Sequence, residues 1–181
     1  MNTKTENRLL KKKEILKAIE HLNNDEVIIL PTETIYGLSL IFNEKNQDLL
    51  NKLKNSDKNK KLIVLISSIK QAKQLGLLYN KYHIKIIKKC KTPTTVLLKD
   101  KNDELIGIRM PKRKDLKKII KVVGPILSTS VNKTGSSYLT KYKDLEIFVK
   151  QNKEIKKLYW VGELNNRPSS VINFDFEVIR K

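Results

Sequence analysis

The chain has 181 residues, with 38 Lys+Arg against 19 Asp+Glu and a formal net charge of +19. That length fits one domain with a real core; a chain of ~150 residues buries roughly 70% of its unfolded surface. One cysteine, Cys90, excludes an internal disulfide framework and a multi-cysteine zinc site, and no apolar run approaches the ~20 residues of a membrane span. Residues 1–14 carry a charge every few positions and no apolar core, so no signal peptide is expected and the cytoplasm is the expected location. Only five basic residues are arginine (Arg8, Arg109, Arg113, Arg167, Arg180); the rest are lysine, scattered, and densest at 11–13, 58–61 and 117–121. Abundant Lys, Asn and Ile together are what an AT-rich genome produces, so charge alone does not separate nucleic-acid binding from compositional drift.

In chain order, Leu9, Leu10, Leu16, Ile19 and Leu22 form one stripe and predict a helix over 6–23. Val27 to Leu30 read as a buried strand ended by Pro31, and 37–42 as a second strand. A helix over 44–54 follows with Asn43 as its N-cap, then a strand over 62–66. Ser67 or Ser68 caps a further helix that Gly76 ends. Residues 80–89 read as helix, and 94–98 and 105–110 as strands around a polar turn. A helix over 115–123 stops at Gly124-Pro125, a strand over 126–130 runs into a polar loop, and 142–152 is helical. Strands are predicted at 158–161, 171–174 and 176–179. The mixture without strict alternation predicts one α/β domain over 1–181 with a mixed sheet.

The six glycines, at 37, 76, 107, 124, 135 and 162, lie too far apart for a Rossmann fingerprint or a P-loop. His21 and His83 have no ligand-spaced neighbours and read as surface residues, and Cys90 as a half-buried inert thiol. Three polar stretches adjoin apolar runs: Pro31-Thr32-Glu33-Thr34-Ile35-Tyr36-Gly37, Ser128-Thr129-Ser130-Val131-Asn132, and Pro168-Ser169-Ser170. Polar loops at strand ends are where α/β proteins place binding groups. Hydroxyls and amides grip carboxylates, phosphates and amino acids, although the same residues also simply make turns.

The first stretch resembles the PT-[ED]-T-x-Y-G opening of the YrdC-type L-threonylcarbamoyl-AMP synthases. The resemblance continues in order: Lys54 followed by Leu62-Ile63-Val64, Pro93-Thr94-Thr95, Ile108-Arg109-Met110-Pro111, Ser128-Thr129-Ser130-Val131-Asn132, Ser169-Ser170-Val171-Ile172, and Arg180. It implies a short, single-domain YrdC-like fold: a twisted mixed sheet flanked by helices, with a concave basic face. The implied reaction makes threonylcarbamoyl-AMP and pyrophosphate from L-threonine, bicarbonate or CO2, and ATP, for threonylcarbamoyladenosine modification of tRNA. Mg2+ would accompany ATP, with no protein metal motif expected. Implied partners are the tRNA-modification machinery that receives the product and, by direct contact, tRNA or double-stranded RNA.

By the same resemblance, Thr32, Arg109, Ser128 and Ser169 would bind threonine. Lys54, Lys58, Ser130, Asn132, Tyr138 and Arg180 would hold ATP, with Lys54, Ser130 and Asn132 catalytic. Thr34, Tyr36, Thr95 and Ser170 would form the pocket wall. Where the family has K-x-R-P this chain has Lys54-Asn55-Ser56-Asp57, so an arginine is missing; Lys91-Thr92 replaces the PG before Pro93. Losing one charge-assisted contact removes roughly 1.5–3 kcal/mol, about tenfold to a hundredfold in rate. Lys58, Lys60 or Lys61 is the expected substitute. The competing expectations are a non-catalytic double-stranded RNA or tRNA-binding module of the same fold, and a relative acting on another carbamoyl-type substrate.

Overall fold

The computed structural model describes residues 8–57 and 60–180. Among the described residues, nine strands form one mixed sheet in the order β7-β1-β2-β6-β3-β5-β4-β8-β9. In chain order they are β1 (Val27–Pro31), β2 (Tyr36–Ile41), β3 (Ile63–Leu65), β4 (Thr94–Lys99), β5 (Leu105–Arg109), β6 (Ile126–Ser130), β7 (Ile155–Leu158), β8 (Ser170–Ile172) and β9 (Val178–Arg180). Flanking it are the helices α1 (Lys12–Asn23), α2 (Glu44–Leu53), α3 (Ile69–Gln74), α4 (Lys81–Lys89), α5 (Lys114–Val123) and α6 (Tyr142–Gln151). None in the described residues is long and apolar enough to cross a membrane.

The central strands are buried on both faces, which is why they read as unbroken apolar runs. Helix α5 buries Leu116, Ile119 and Ile120 at i, i+3, i+4 spacing and packs against α1. Gly124, at φ +91°, ends it in a conformation that a side chain would strain. Asn43 and Asn80 cap α2 and α4 by accepting backbone N–H groups on their side chains.

Three expectations shift. The N-terminal helix was expected from residue 6; residues 6 and 7 lie outside the described part, and α1 begins at Lys12. Residues 8–11 are tied down instead: Leu10 N–H donates to Asp115 Oδ2 at 2.8 Å, and the Arg113 guanidinium, buried against Asp115 at 2.6 Å, donates to Arg8 O. The strand expected over 158–161 lies at Ile155–Leu158. The apolar run that suggested it is instead a buried bend, where Val161 N–H donates to the Tyr36 hydroxyl and Trp160 stacks on the Tyr36 ring at 5.3 Å. His83 is not on the surface. It is fully buried, with Nδ1 accepting from Asn80 N–H, Nε2 donating to Phe174 O, and its ring stacked on Phe176. His21 is half-exposed and pairs with Glu26.

Candidate functional site

A cavity of about 250 Å3 opens where the β1–β2 turn, the end of α2, β6 with the loop after it, Arg109 at the end of β5, and the segments around Ser169 and Arg180 converge. Of the expected residues, Thr32, Thr34, Tyr36, Lys54, Arg109, Ser128, Ser130, Asn132, Tyr138, Ser169 and Arg180 line it. Thr95 and Ser170, expected on the wall, are not among the lining residues. Thr95 is buried, its hydroxyl paired with Ser169 Oγ at 2.8 Å, and Ser170 begins β8 with its N–H on Pro93 O. Lys58 lies outside the described residues.

The β1–β2 turn is held by Thr32. Its hydroxyl donates to Ile35 O at 2.7 Å and accepts from the N–H groups of Thr34 and Ile35 and from the Thr34 hydroxyl. That fills the hydrogen-bonding capacity of the hydroxyl. Thr34 Oγ1 in turn accepts from Arg109, at 3.3–3.4 Å. The Tyr36 ring is buried, and its hydroxyl donates to Gly162 O at 2.6 Å.

Arg109 is 5% exposed, and its Nη2 contacts Glu33 Oε1 at 2.7 Å. Glu33 does not line this cavity; it neutralises the guanidinium from the other side. Arg109 Nε and Glu33 Oε2 are both buried without a hydrogen-bond partner. An unused guanidinium donor has the geometry to take a carboxylate or phosphate.

Lys54 forms the C-terminal cap of α2 and is 3% exposed. Its Nζ donates to Ser130 O at 2.6 Å, Ser130 Oγ at 3.1 Å and Asn132 Oδ1 at 2.5 Å. Ser130 Oγ also donates to Asn132 Oδ1, at 2.7 Å. The three residues expected to act on the nucleotide are therefore one cluster. Burial pushes the Lys54 ammonium down to about 8, with repulsion from Lys60 adding to the effect. The next segment is zipped to the same loop: Thr134 N–H donates to Lys54 O, and the Ser56 and Thr134 hydroxyls are hydrogen-bonded.

Gly37 has a steric reason to be glycine. A Cβ there would lie 2.5 Å from Ser128 Oγ. Gly37→Ala is expected to cost about 1–3 kcal/mol by overpacking and to displace the Ser128 hydroxyl. Adding Ser128→Ala, which removes the clashing oxygen, should restore most of the lost Tm; no recovery in the double variant would contradict the steric account.

The lining also includes Thr134 and Gly135, which the sequence did not single out, Thr129 and Ile63, which were named only within longer motifs, and Lys60 and Lys61, the expected substitutes for the missing arginine. Glu33 was passed over as well. Its signal was an acid inside a polar turn of a strongly basic chain, which invites a buried cationic partner. Cys90 is half-buried and outside the cavity; a hydrogen bond from Thr94 pulls its thiol below the usual range.

A family model for the Sua5, YciO and YrdC proteins, described as telomere recombination, matches residues 20–181. The chain belongs to the Sua5/YciO/YrdC family. Its fold is that of P. abyssi Sua5 complexed with L-threonine (TM-score 0.80, 21% identity, covering 93% of this chain and 53% of that one). E. coli YciO matches with a TM-score of 0.77 at 17% identity, covering 94% and 92% of the two chains. Full-length HypF in its phosphate- and nucleotide-bound form matches with a TM-score of 0.74 at 16% identity, covering 89% of this chain and 27% of that one. This Sua5/YciO/YrdC chain thus spans about half the length of the Sua5 structure and nearly all of YciO. No curated protein sequence matches it.

Proposed function

We propose that this member of the Sua5/YciO/YrdC family is a cytoplasmic L-threonylcarbamoyladenylate synthase. It would join L-threonine, bicarbonate or CO2, and ATP into threonylcarbamoyl-AMP and pyrophosphate for tRNA modification. The observation that carries the reading is one cavity lined by two buried cations, Lys54 and Arg109, by hydroxyls and amides and, among the described residues, by no carboxylate. Such a lining suits two anionic reactants held side by side. The threonine amine takes up CO2 to give a carbamate, whose oxygen attacks the α-phosphorus of ATP as pyrophosphate leaves. That step needs alignment and charge stabilisation more than acid–base chemistry.

Arg109 would take the threonine carboxylate, with Ser128 and Ser169 beside it. Lys54, Ser130 and Asn132 would face the phosphates, and Arg180, latched to Ser169 O at 2.8 Å, would close over the nucleotide with Tyr138. Mg2+ would be held by phosphate oxygens and water, in keeping with the carboxylate-free lining, and would neutralise phosphate charge.

The missing family arginine falls at Ser56. Of its expected substitutes, Lys60 and Lys61 both line the cavity; Lys61 is tied to Glu104 at 2.7 Å, whereas Lys60 has no ion pair among the described residues. Lys60→Ala is expected to lower kcat/KM for ATP about tenfold or more, and Lys61→Ala much less. Equal, negligible effects would remove Lys60 from the role.

The decisive assay follows pyrophosphate with ATP, Mg2+ and bicarbonate, with and without L-threonine. Threonine-dependent release supports the synthase. Ser56 in place of arginine favours a second reading, a non-catalytic RNA-binding module. No threonine-dependent release, together with duplex RNA binding that weakens steeply with salt, would select it. Release driven by another amine would select a different carbamoyl-type substrate.

A further inference from the structure

A second groove, of about 620 Å3, lies along α4 and is lined by Tyr82, Lys85, Ile86, Lys89, Cys90 and Phe176. It shares no lining residue with the Lys54–Arg109 cavity. Tyr82 is 56% exposed and Phe176 40% exposed, and they meet edge to face with centroids 6.3 Å apart. Beneath Phe176 the buried His83 ring stacks at 4.6 Å, and Phe174 packs on His83 at 4.7 Å. Three rings form a ladder whose outermost member is open.

Phe176 has φ +71°. A bulky side chain in that left-handed region is strained. The surrounding turn enforces it: Asn173 Oδ1 accepts from the N–H groups of Asp175 and Glu177, and Asn173 N–H donates to Glu177 O. A residue held under strain so that an aromatic face stays exposed marks a surface built for contact.

The charge of the groove indicates the contact. Its charged lining is Lys85 and Lys89, with no acid; Lys81 and Lys88 stand on the same helix, and Lys81 Nζ sits 5.2 Å from the Tyr82 ring centroid. Two acids, Asp175 and Glu177, flank Phe176 in the turn, and Glu177 is bound by the Asn173 amide at 2.7 Å. We propose that this groove is a stacking platform for single-stranded nucleic acid. A base would extend the Phe174–His83–Phe176 ladder beside Tyr82, with its phosphates on Lys85 and Lys89. Every base offers a π-face, and lysines supply point charges for the backbone, so the platform is tolerant of sequence. A duplex hides its base faces and does not fit it. A second copy of this chain would bring the same lysine-bearing helix against itself, and like charges oppose that contact.

The test is fluorescence anisotropy of the whole chain with a labelled single-stranded oligoribonucleotide of about 10 nucleotides, and with the same sequence as a duplex. The single strand should bind more tightly than the duplex. Tyr82→Ser and Phe176→Gly should each weaken it about tenfold. Tyr82→Ser alters an exposed ring, so its lost binding does not trace to unfolding; Phe176→Gly relieves the backbone strain but uncovers the buried His83 ring, so its Tm is measured beside its binding. Lys85→Gln with Lys89→Gln should flatten the dependence of log K on log salt by roughly 1.4. Threonine-dependent pyrophosphate release should be unchanged in all of them. Absent binding, equal binding of duplex, or aromatic variants that bind as wild type would overturn the platform. So would concentration-dependent dimerisation in sedimentation that Tyr82→Ser abolishes, which would assign the groove to a chain–chain contact.

Discussion

Lys54→Met lowers kcat/KM for ATP by about 10²–10³-fold in the proposed reaction while the chain stays folded. Lys54 is the buried cation nearest the Ser130–Asn132 pair, and methionine keeps its length without its charge. The fold survives because Ser130 Oγ already donates to Asn132 Oδ1 and the α2 cap is built from backbone bonds, including Thr134 N–H on Lys54 O. The same residue gives the activity a pH limb. Burial holds the ammonium down to about 8, so the cation is present below that pH and lost above it. Free-enzyme kcat/KM should fall as pH rises through about 8, and Lys60→Ala, which removes the neighbouring positive charge, should move the limb upward.

Stability carries the opposite signature. An unfolded lysine titrates at ~10.4, above the native value of about 8. Between those pH values the unfolded chain keeps a proton that the native chain has released, so this group makes stability rise with pH across the window. Lys54→Met should erase that rise in a denaturation series. A Lys54→Met enzyme with wild-type kcat/KM would refute the assignment of Lys54 to ATP.

Arg109→Ala damages both stability and binding. It strands Glu33, whose side chain is 16% exposed, without its ion-pair partner at 2.7 Å. Breaking a buried pair from one side costs about 3–5 kcal/mol, so Tm should fall on the order of 10 °C, and threonine dependence of pyrophosphate release should be lost. Arg109→Lys restores the charge but not the fork, which now spans Glu33 and Thr34 together, and should recover little. Glu33→Gln separates the two roles. It leaves the guanidinium buried and uncompensated until a carboxylate arrives, so added threonine should raise the Tm of Glu33→Gln by more than that of wild type. An Arg109→Ala variant as stable and as threonine-dependent as wild type would contradict both roles.

Much of this site was legible because its residues cluster in short polar stretches beside apolar strands. Thr32, residues 34–37, residues 128–130, Asn132 and Ser169 all reach the cavity. What sequence could not convey was which atoms remain free. Thr32 looked like a ligand hydroxyl, yet the turn saturates it. Tyr36 reached the cavity as expected, but its ring is committed to Trp160 and Gly162. Glu33 was overlooked because its importance depends on Arg109, 76 positions away, and no local pattern links them. In the fold, β7 was displaced because Lys156 and Lys157 are exposed and only Ile155 of that strand is buried, so the apolar run just beyond it gave the stronger signal. His83, set among lysines, read as surface; its burial depends on Phe174 and Phe176, some ninety residues later.

The cavity's walls come from positions as far apart as Thr32 and Arg180, and from strands spread over the sheet from β2 to the β9 edge. No contiguous fragment owns the pocket. A ligand in it therefore acts as a tether between distant stretches of chain, and at a hundredfold excess over its Kd adds about 2.7 kcal/mol to the stability of the whole native state. Substrate supply and lifetime of the folded chain are coupled by this architecture: a starved molecule opens more often than a loaded one, and is the first to meet a protease.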